Sequence, residues 1–187
     1  MKSLKEYLVP TVTLFIICLV AAALLGITND VTSPIISDLA AEKEISTRKE
    51  VFPDAVSFGE AKNAGEASVV AALDENKNII GYVVVNVGKG GYGGDISVMT
   101  GVTADGKVTG ISILSHNETP GLGAKAKTDD GWSGQFEGLT KGITVSKDGS
   151  GTNSIKAITG ATKTSSAVTN AVNEAIEIAL AGGESNG

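Results

Sequence analysis

An α+β fold is predicted for this chain: one apolar helix near the N-terminus, then a domain of antiparallel sheet with flanking helices. Three stretches carry that expectation. Val9 to Ile27 holds no charged residue. Val69 to Leu114 gives, twice over, a strand pattern, a polar turn and a second strand pattern. From Thr164 to Leu180, the residues Ala167, Val168, Ala171, Val172, Ala175, Ile176, Ala179 and Leu180 recur at the i, i+3, i+4 spacing of one helix face. Paired strands closed by a helix, rather than alternating with helices, favour antiparallel sheet.

About 20 apolar residues rising 1.5 Å each cross a hydrocarbon core, so "VPTVTLFIICLVAAALLGI" reads as a transmembrane helix over 9–27. Lys2 and Lys5 precede it, while Asn29 and Asp30 follow. The positive-inside rule then places 1–8 in the cytoplasm and everything after Thr28 outside, as a single pass through the cell membrane with an extracytoplasmic domain. A cleaved signal peptide is the alternative, but "ALLGITND" offers little of the small-residue site at which such peptides end. Cys18 lies mid-run and reads as a packing or membrane-facing residue.

Ser33 as N-cap and Pro34 at the first helical position predict a fresh helix start. The helix then runs toward Pro53, giving a stalk over 28–53 and a domain over 54–187. Its charges, from Glu42 to Glu50, read as a solvated face. "SFGEAKNAGEAS" is poor in apolar residues and reads as a loop. "VVAAL" and "IIGYVVVNV" flank the turn "DENKN"; "DISVMTGVT" and "KVTGISIL" flank the turn "ADG". Between these hairpins "GKGGYGGD" is a glycine-rich bend, with Tyr92 a candidate neighbour of any ligand. "SHNETPGLGAKAK" is turn-rich, "GWSGQFEGL" irregular, "ITVS" one further strand and "KDGSG" a turn.

Composition removes several function classes. With 15 Lys and Arg against 21 Asp and Glu, the chain carries a formal charge of −6, which argues against a nucleic-acid partner. One cysteine and one histidine exclude an intrachain disulfide, a CxxC redox pair and a Cys/His metal site built by this chain alone. His116 reads as a structural hydrogen-bonder, and no nucleophile–base pair surrounds it, so neither a catalytic residue nor a metal ligand is expected. Electron or group transfer would need an organic cofactor or a partner.

Two motifs remain. "AITGATKTSSAVTNAVNEAIEIAL" gathers Thr159, Thr162, Thr164, Ser165, Ser166 and Thr169 at the start of an apolar helix. A helix N-terminus favours anions, Gly160 and Ala161 let a bulky group approach, and hydroxyls bond phosphate oxygens without repelling them. On spacing alone, capping together with ordinary surface Ser and Thr is the favoured account of the same residues, since such clusters are common at helix starts. "HNETPGLG" is either a tight turn after a strand or a rigid loop pressed against a flat ligand, with Glu118 hydrogen-bonding through its side chain.

Taken together, "ITGATKTSS" after "GISILSHNETPGLG", behind an N-terminal anchor, resembles the FMN-binding domain of the G subunit of Rnf electron-transport complexes. The C subunit of the sodium-translocating NADH:quinone oxidoreductase is similar. The resemblance covers nearly the whole chain and implies an electron-transfer subunit carrying covalent FMN, within a complex coupling ferredoxin:NAD electron transfer to ion translocation. In such proteins a threonine of an S/T-G-A-T-x-S/T motif holds FMN through a phosphoester. Thr159, Gly160, Ala161 and Thr162 match the first four places, Lys163 the free one and Thr164 the last.

The resemblance therefore makes Thr162 the attachment residue and places Thr164 and Ser165 beside the phosphate. It sets Glu118, Thr119, Pro120, Gly121, Leu122 and Gly123 along the flavin. It implies a flavin transferase of the ApbE type for maturation, acting with FAD and magnesium, and other membrane subunits as partners. Many members have an aspartate where this chain has Lys156. Trp132 and Phe136 are expected in core or lid packing, with flavin stacking as a lesser option. The alternatives are a component of a quinone reductase, a stand-alone anchored flavoprotein and a non-redox binding module.

Overall fold

The computed structural model describes residues 4–184; Lys2 of the expected cytoplasmic flank and residues 185–187 lie outside the described residues. The chain divides into two compact units, Met1–Ile45 and Ser46–Gly187.

The first unit is helical. Helix α1 spans Leu4–Val51, 48 residues, and so continues into the first residues of the second unit. Within it Leu8–Ser33 is long and apolar enough to cross a membrane, and its side chains are exposed throughout. The hydroxyls of Thr13 and Thr28 donate to the carbonyls of Val9 and Leu24, 2.9 and 2.8 Å away, which satisfies both in an apolar setting. The fresh helix start expected at Ser33-Pro34 does not occur. A proline removes one backbone donor, but propagating an existing helix is far easier than nucleating a new one, and α1 runs on past it.

In the second unit, strands β1 (Ser57–Ala64), β2 (Ala67–Leu73), β3 (Ile79–Gly88), β4 (Ile96–Thr103) and β5 (Val108–Ser115) form an antiparallel meander in sequence order. Both expected hairpins are present. The stretch read as a loop is instead the edge strand β1. Its residues are mostly exposed, and a strand with one edge and most of one face in water lacks the apolar alternation that marks central strands.

Sheet periodicity places Val84, Val98 and Val102 on one face and Val83 and Met99 on the other. The first face packs against α4 (Thr162–Glu184) through Val168, Val172 and Ile176, all fully buried. The second receives Val51 and Phe52 from the end of α1, together with Ala55. The Thr109 hydroxyl donates to the Val51 carbonyl at 2.5 Å, satisfying one of the acceptors left open where α1 stops. Covering both faces explains the uninterrupted Val83-Val84-Val85 run.

Shorter elements fill one flank: α2 (Lys125–Thr128), α3 (Asp130–Ser133), a 3₁₀ turn over Gly134–Phe136, and strands β6 (Thr144–Ser146) and β7 (Ser154–Lys156), which pair in parallel. Trp132 and Phe136 sit in the core, rings edge to face at 5.4 Å, with the indole N–H donating to the Lys156 carbonyl at 2.9 Å. Both therefore pack in the core, as the first of the two expectations had it.

The β2–β3 turn carries a pH-dependent element. The Asp74 carboxylate accepts the Asn76 and Asn78 backbone N–H groups at 2.8 Å each and the Asn78 amide at 3.0 Å. The Asn78 side chain, then its backbone N–H, holds the Asp74 carboxyl below its ordinary value. A depressed folded-state value contributes stability above the unfolded value and loses it as pH falls through the folded one. Asp74→Ala is expected to melt slightly below wild type at neutral pH and to converge with it in acid, as thermal melts across a pH series will read.

Candidate functional site

Three segments meet at the first turn of α4. One is the bend between β3 and β4, which carries Tyr92. The second is the loop from His116 to Gly123 after β5. The third is the turn leading into α4. Their meeting leaves a cleft of about 540 Å³, lined by Tyr92, Glu118, Thr119, Leu122, Gly123 and 160–164. That size lies within the range of small-molecule sites, roughly 300–1,000 Å³.

Glu118 ties the segments together. The residue is 6% exposed. One carboxylate oxygen accepts the Gly93 N–H at 3.0 Å and the other accepts the Thr164 hydroxyl at 2.7 Å. Buried carboxylates persist where donors satisfy both oxygens, and charge-assisted bonds are the stronger kind. The Glu118 N–H in turn donates to His116 Nδ1 at 3.1 Å, so the histidine is the structural hydrogen-bonder its sequence context indicated.

Gly123 is required by this contact. A Cβ there would stand 2.4 Å from the Glu118 carboxylate and 2.7 Å from the Thr164 hydroxyl. Gly160 has φ +78°, a conformation costly for other residues, and its bare Cα leaves room for the Leu122 methyl at the cleft wall.

The hydroxyls of the motif divide by use. Thr164 is spent on Glu118. Ser165 is fully buried; its hydroxyl accepts the Ile158 N–H at 2.9 Å and donates to the Ala161 carbonyl at 3.0 Å, closing the turn into the helix. Thr169 bonds back to the Ser165 carbonyl at 2.9 Å. Thr162 opens the helix, is exposed, lines the cleft, and has no hydrogen-bond partner among the described residues. The N–H groups of 162–164 have no helical carbonyl to bond, and the first turn of α4 contains no acidic residue.

Most of the residues singled out in the sequence thus line one cleft: Thr162, Gly160, Ala161, Thr164, Glu118, Thr119, Leu122 and Gly123. Three do not. Thr159 lines an adjacent cavity of about 270 Å³ with Lys125, Trp132 and Lys156. Ser165 lies beneath the cleft, its hydroxyl engaged internally, and Gly121 supplies the turn at φ +77°. Lys163, the motif's free position, is exposed and also lines the cleft. No cluster of metal-ligating side chains occurs among the described residues.

An FMN-binding domain model matches residues 91–177, a range holding all three walls of the cleft. The G subunit of the Na(+)-translocating ferredoxin:NAD(+) oxidoreductase complex of Acetobacterium woodii is 39% identical, over 88% of this chain and 87% of its own length. Its counterpart in the proton-translocating complex of Clostridium ljungdahlii is 42% identical, over 89% and 88%. The G subunit of the ion-translocating oxidoreductase complex of Methanosarcina acetivorans is 34% identical, over 95% and 96%. The crystal structure of Shewanella oneidensis NqrC aligns with 65% of each chain at 21% identity and a TM-score of 0.49. With its cleft inside an FMN-binding domain and relatives matched along most of their length, the chain belongs to the G-subunit family of ion-translocating oxidoreductase complexes.

Proposed function

We propose that this chain carries electrons within a membrane complex that couples ferredoxin:NAD electron transfer to ion translocation, through FMN held as a phosphoester on the Thr162 hydroxyl. One observation supports the attachment residue above all others. Of the hydroxyls gathered at the start of α4, that of Thr162 is the one that lines the cleft without a protein partner among the described residues.

The residues present fit the group. The cleft has room for a flat ring, Gly160 presents no Cβ to it, and the open N–H groups of the first helical turn meet a phosphate with the positive end of the helix dipole. The Glu118 carboxylate turns its oxygens to the Gly93 N–H and the Thr164 hydroxyl. FMN supplies the electron acceptance and donation when bound; the chain's residues fix its position and its electrostatic surroundings. Thr164 and Ser165 act beneath the phosphate, holding the helix start in place.

Covalent attachment suits a domain outside the cell membrane. A cofactor held at nanomolar affinity, ~12 kcal/mol, still dissociates and there dilutes away. A bond to the protein keeps its local concentration at about millimolar or above. The maturation step balances as follows: the Thr162 oxygen attacks the FMN-side phosphorus of FAD, the anhydride bond breaks, AMP leaves and the hydroxyl proton is released. A flavin transferase of the ApbE type, with magnesium, would catalyse it. Leu8–Ser33 anchors the chain beside the other membrane subunits, with the N-terminus cytoplasmic and the FMN domain outside.

Two measurements test this. Chain produced with the transferase should gain the mass of FMN less water, and chain produced without it should keep the bare polypeptide mass; equal masses contradict the attachment. Protease added to intact cells or spheroplasts should degrade the domain after α1. A domain protected until the membrane is opened contradicts the orientation.

A further inference from the structure

Among the exposed large apolar side chains from Ser46 onward, namely Val56, Ile79, Tyr92, Leu122 and Leu180, two line the same cleft. Tyr92 is 75% exposed and Leu122 45%. A tyrosine left that open forfeits the burial that usually stabilises an aromatic ring, unless something else covers it.

The backbone beneath Tyr92 is nevertheless held. Its neighbour Gly93 donates its N–H to Glu118, and a Cβ at Gly91, on the other side, would stand 2.6 Å from the same carboxylate and 2.5 Å from the Gly94 carbonyl. Both neighbours therefore press against fixed groups while the phenol ring projects into the cleft. The FMN-binding domain match begins at residue 91 and so includes Tyr92 at its edge.

Resting on the FMN reading above, we infer that Tyr92 is the aromatic cover of the isoalloxazine ring, packing on it opposite the wall that carries Leu122. It is a positioning residue. It holds the ring and shields it from water; the attachment at Thr162 does not depend on it.

The test uses full-length chain loaded by the flavin transferase, as wild type, Tyr92→Ala and Tyr92→Phe. Flavin fluorescence in denaturing gels reads attachment; native fluorescence yield and anisotropy read the ring's contacts. A tyrosine touching an excited flavin quenches it by donating one electron, which returns as the pair recombines. Tyr92→Ala should match wild type in the denaturing gel and in melting temperature, while its native fluorescence rises several-fold and its anisotropy falls. Tyr92→Phe should lose the quenching but keep the high anisotropy of a packed ring. Equal native fluorescence in wild type and Tyr92→Ala, at equal loading, overturns this inference and leaves the attachment reading intact. A wild-type chain with no flavin in the denaturing gel overturns both.

Discussion

Thr162→Ala should yield a folded protein without covalent flavin. Fluorescence in a denaturing gel should fall to background, and the intact mass should be that of the bare polypeptide even with the transferase present. The size of the effect follows from how the other hydroxyls are used. Thr164 and Ser165 are fully buried and already engaged, and Thr159 lines a different cavity, so none of these three is placed to take over. Stability should barely change, because the side chain is exposed and makes no hydrogen bond within the described structure. Thr162→Ser restores a hydroxyl at the same place and should regain flavin. Fluorescence that survives Thr162→Ala would move the attachment elsewhere.

Gly123→Ala should damage the site by a different route. The added methyl would meet the Glu118 carboxylate at 2.4 Å and the Thr164 hydroxyl at 2.7 Å, so either the loop shifts or their hydrogen bond opens. Overpacking costs about 1–3 kcal/mol, and a buried polar group left without its partner adds about 1–3 kcal/mol. For a chain of this size each 1 kcal/mol lowers the melting temperature by roughly 2–4 °C. A loss of several degrees is therefore expected, together with reduced flavin loading as the cleft wall moves. Thr164→Val provides the comparison: it removes the same hydrogen bond without the clash, so it should be destabilised less. If Gly123→Ala melts with wild type, the close packing around Glu118 is wrong.

What could be read from the sequence was mostly local. The β2–β3 and β4–β5 hairpins were legible because apolar strands flank a polar turn within a few residues, and Asp74 closes the first of these turns. The terminal helix was legible from its apolar face, although it begins at Thr162 and continues to Glu184. Strand β1 was not, since an edge strand in water needs no alternation; Gly65 at φ +65° was its main local mark. Strand β6 was legible in "ITVS", but its parallel partner β7 was not: it is only 3 residues long, and the pairing joins segments whose relation is set by the core around Ile143 and Ile155.

The site follows the same division. Thr162 and the Glu118-to-Gly123 loop were identifiable as motifs, but spacing could not distinguish a capping hydroxyl from a ligand-bearing one. That distinction lies in contacts between distant segments. Glu118 reaching Thr164, and Ser165 closing its own turn, engage two of the neighbouring hydroxyls. Likewise, Tyr92 belongs to the site because Glu118 also grips Gly93, a contact across 25 positions of sequence.

Protein purified from its native membrane, denatured and cut after lysine, provides the most direct measurement. Cleavage at Lys156 and Lys163 releases 157–163, which contains Thr159 and Thr162 but neither Thr164 nor Ser165. Tandem mass spectrometry of that peptide should find the FMN phosphoryl group on Thr162. A peptide without flavin, or flavin carried by any other residue, would contradict the account.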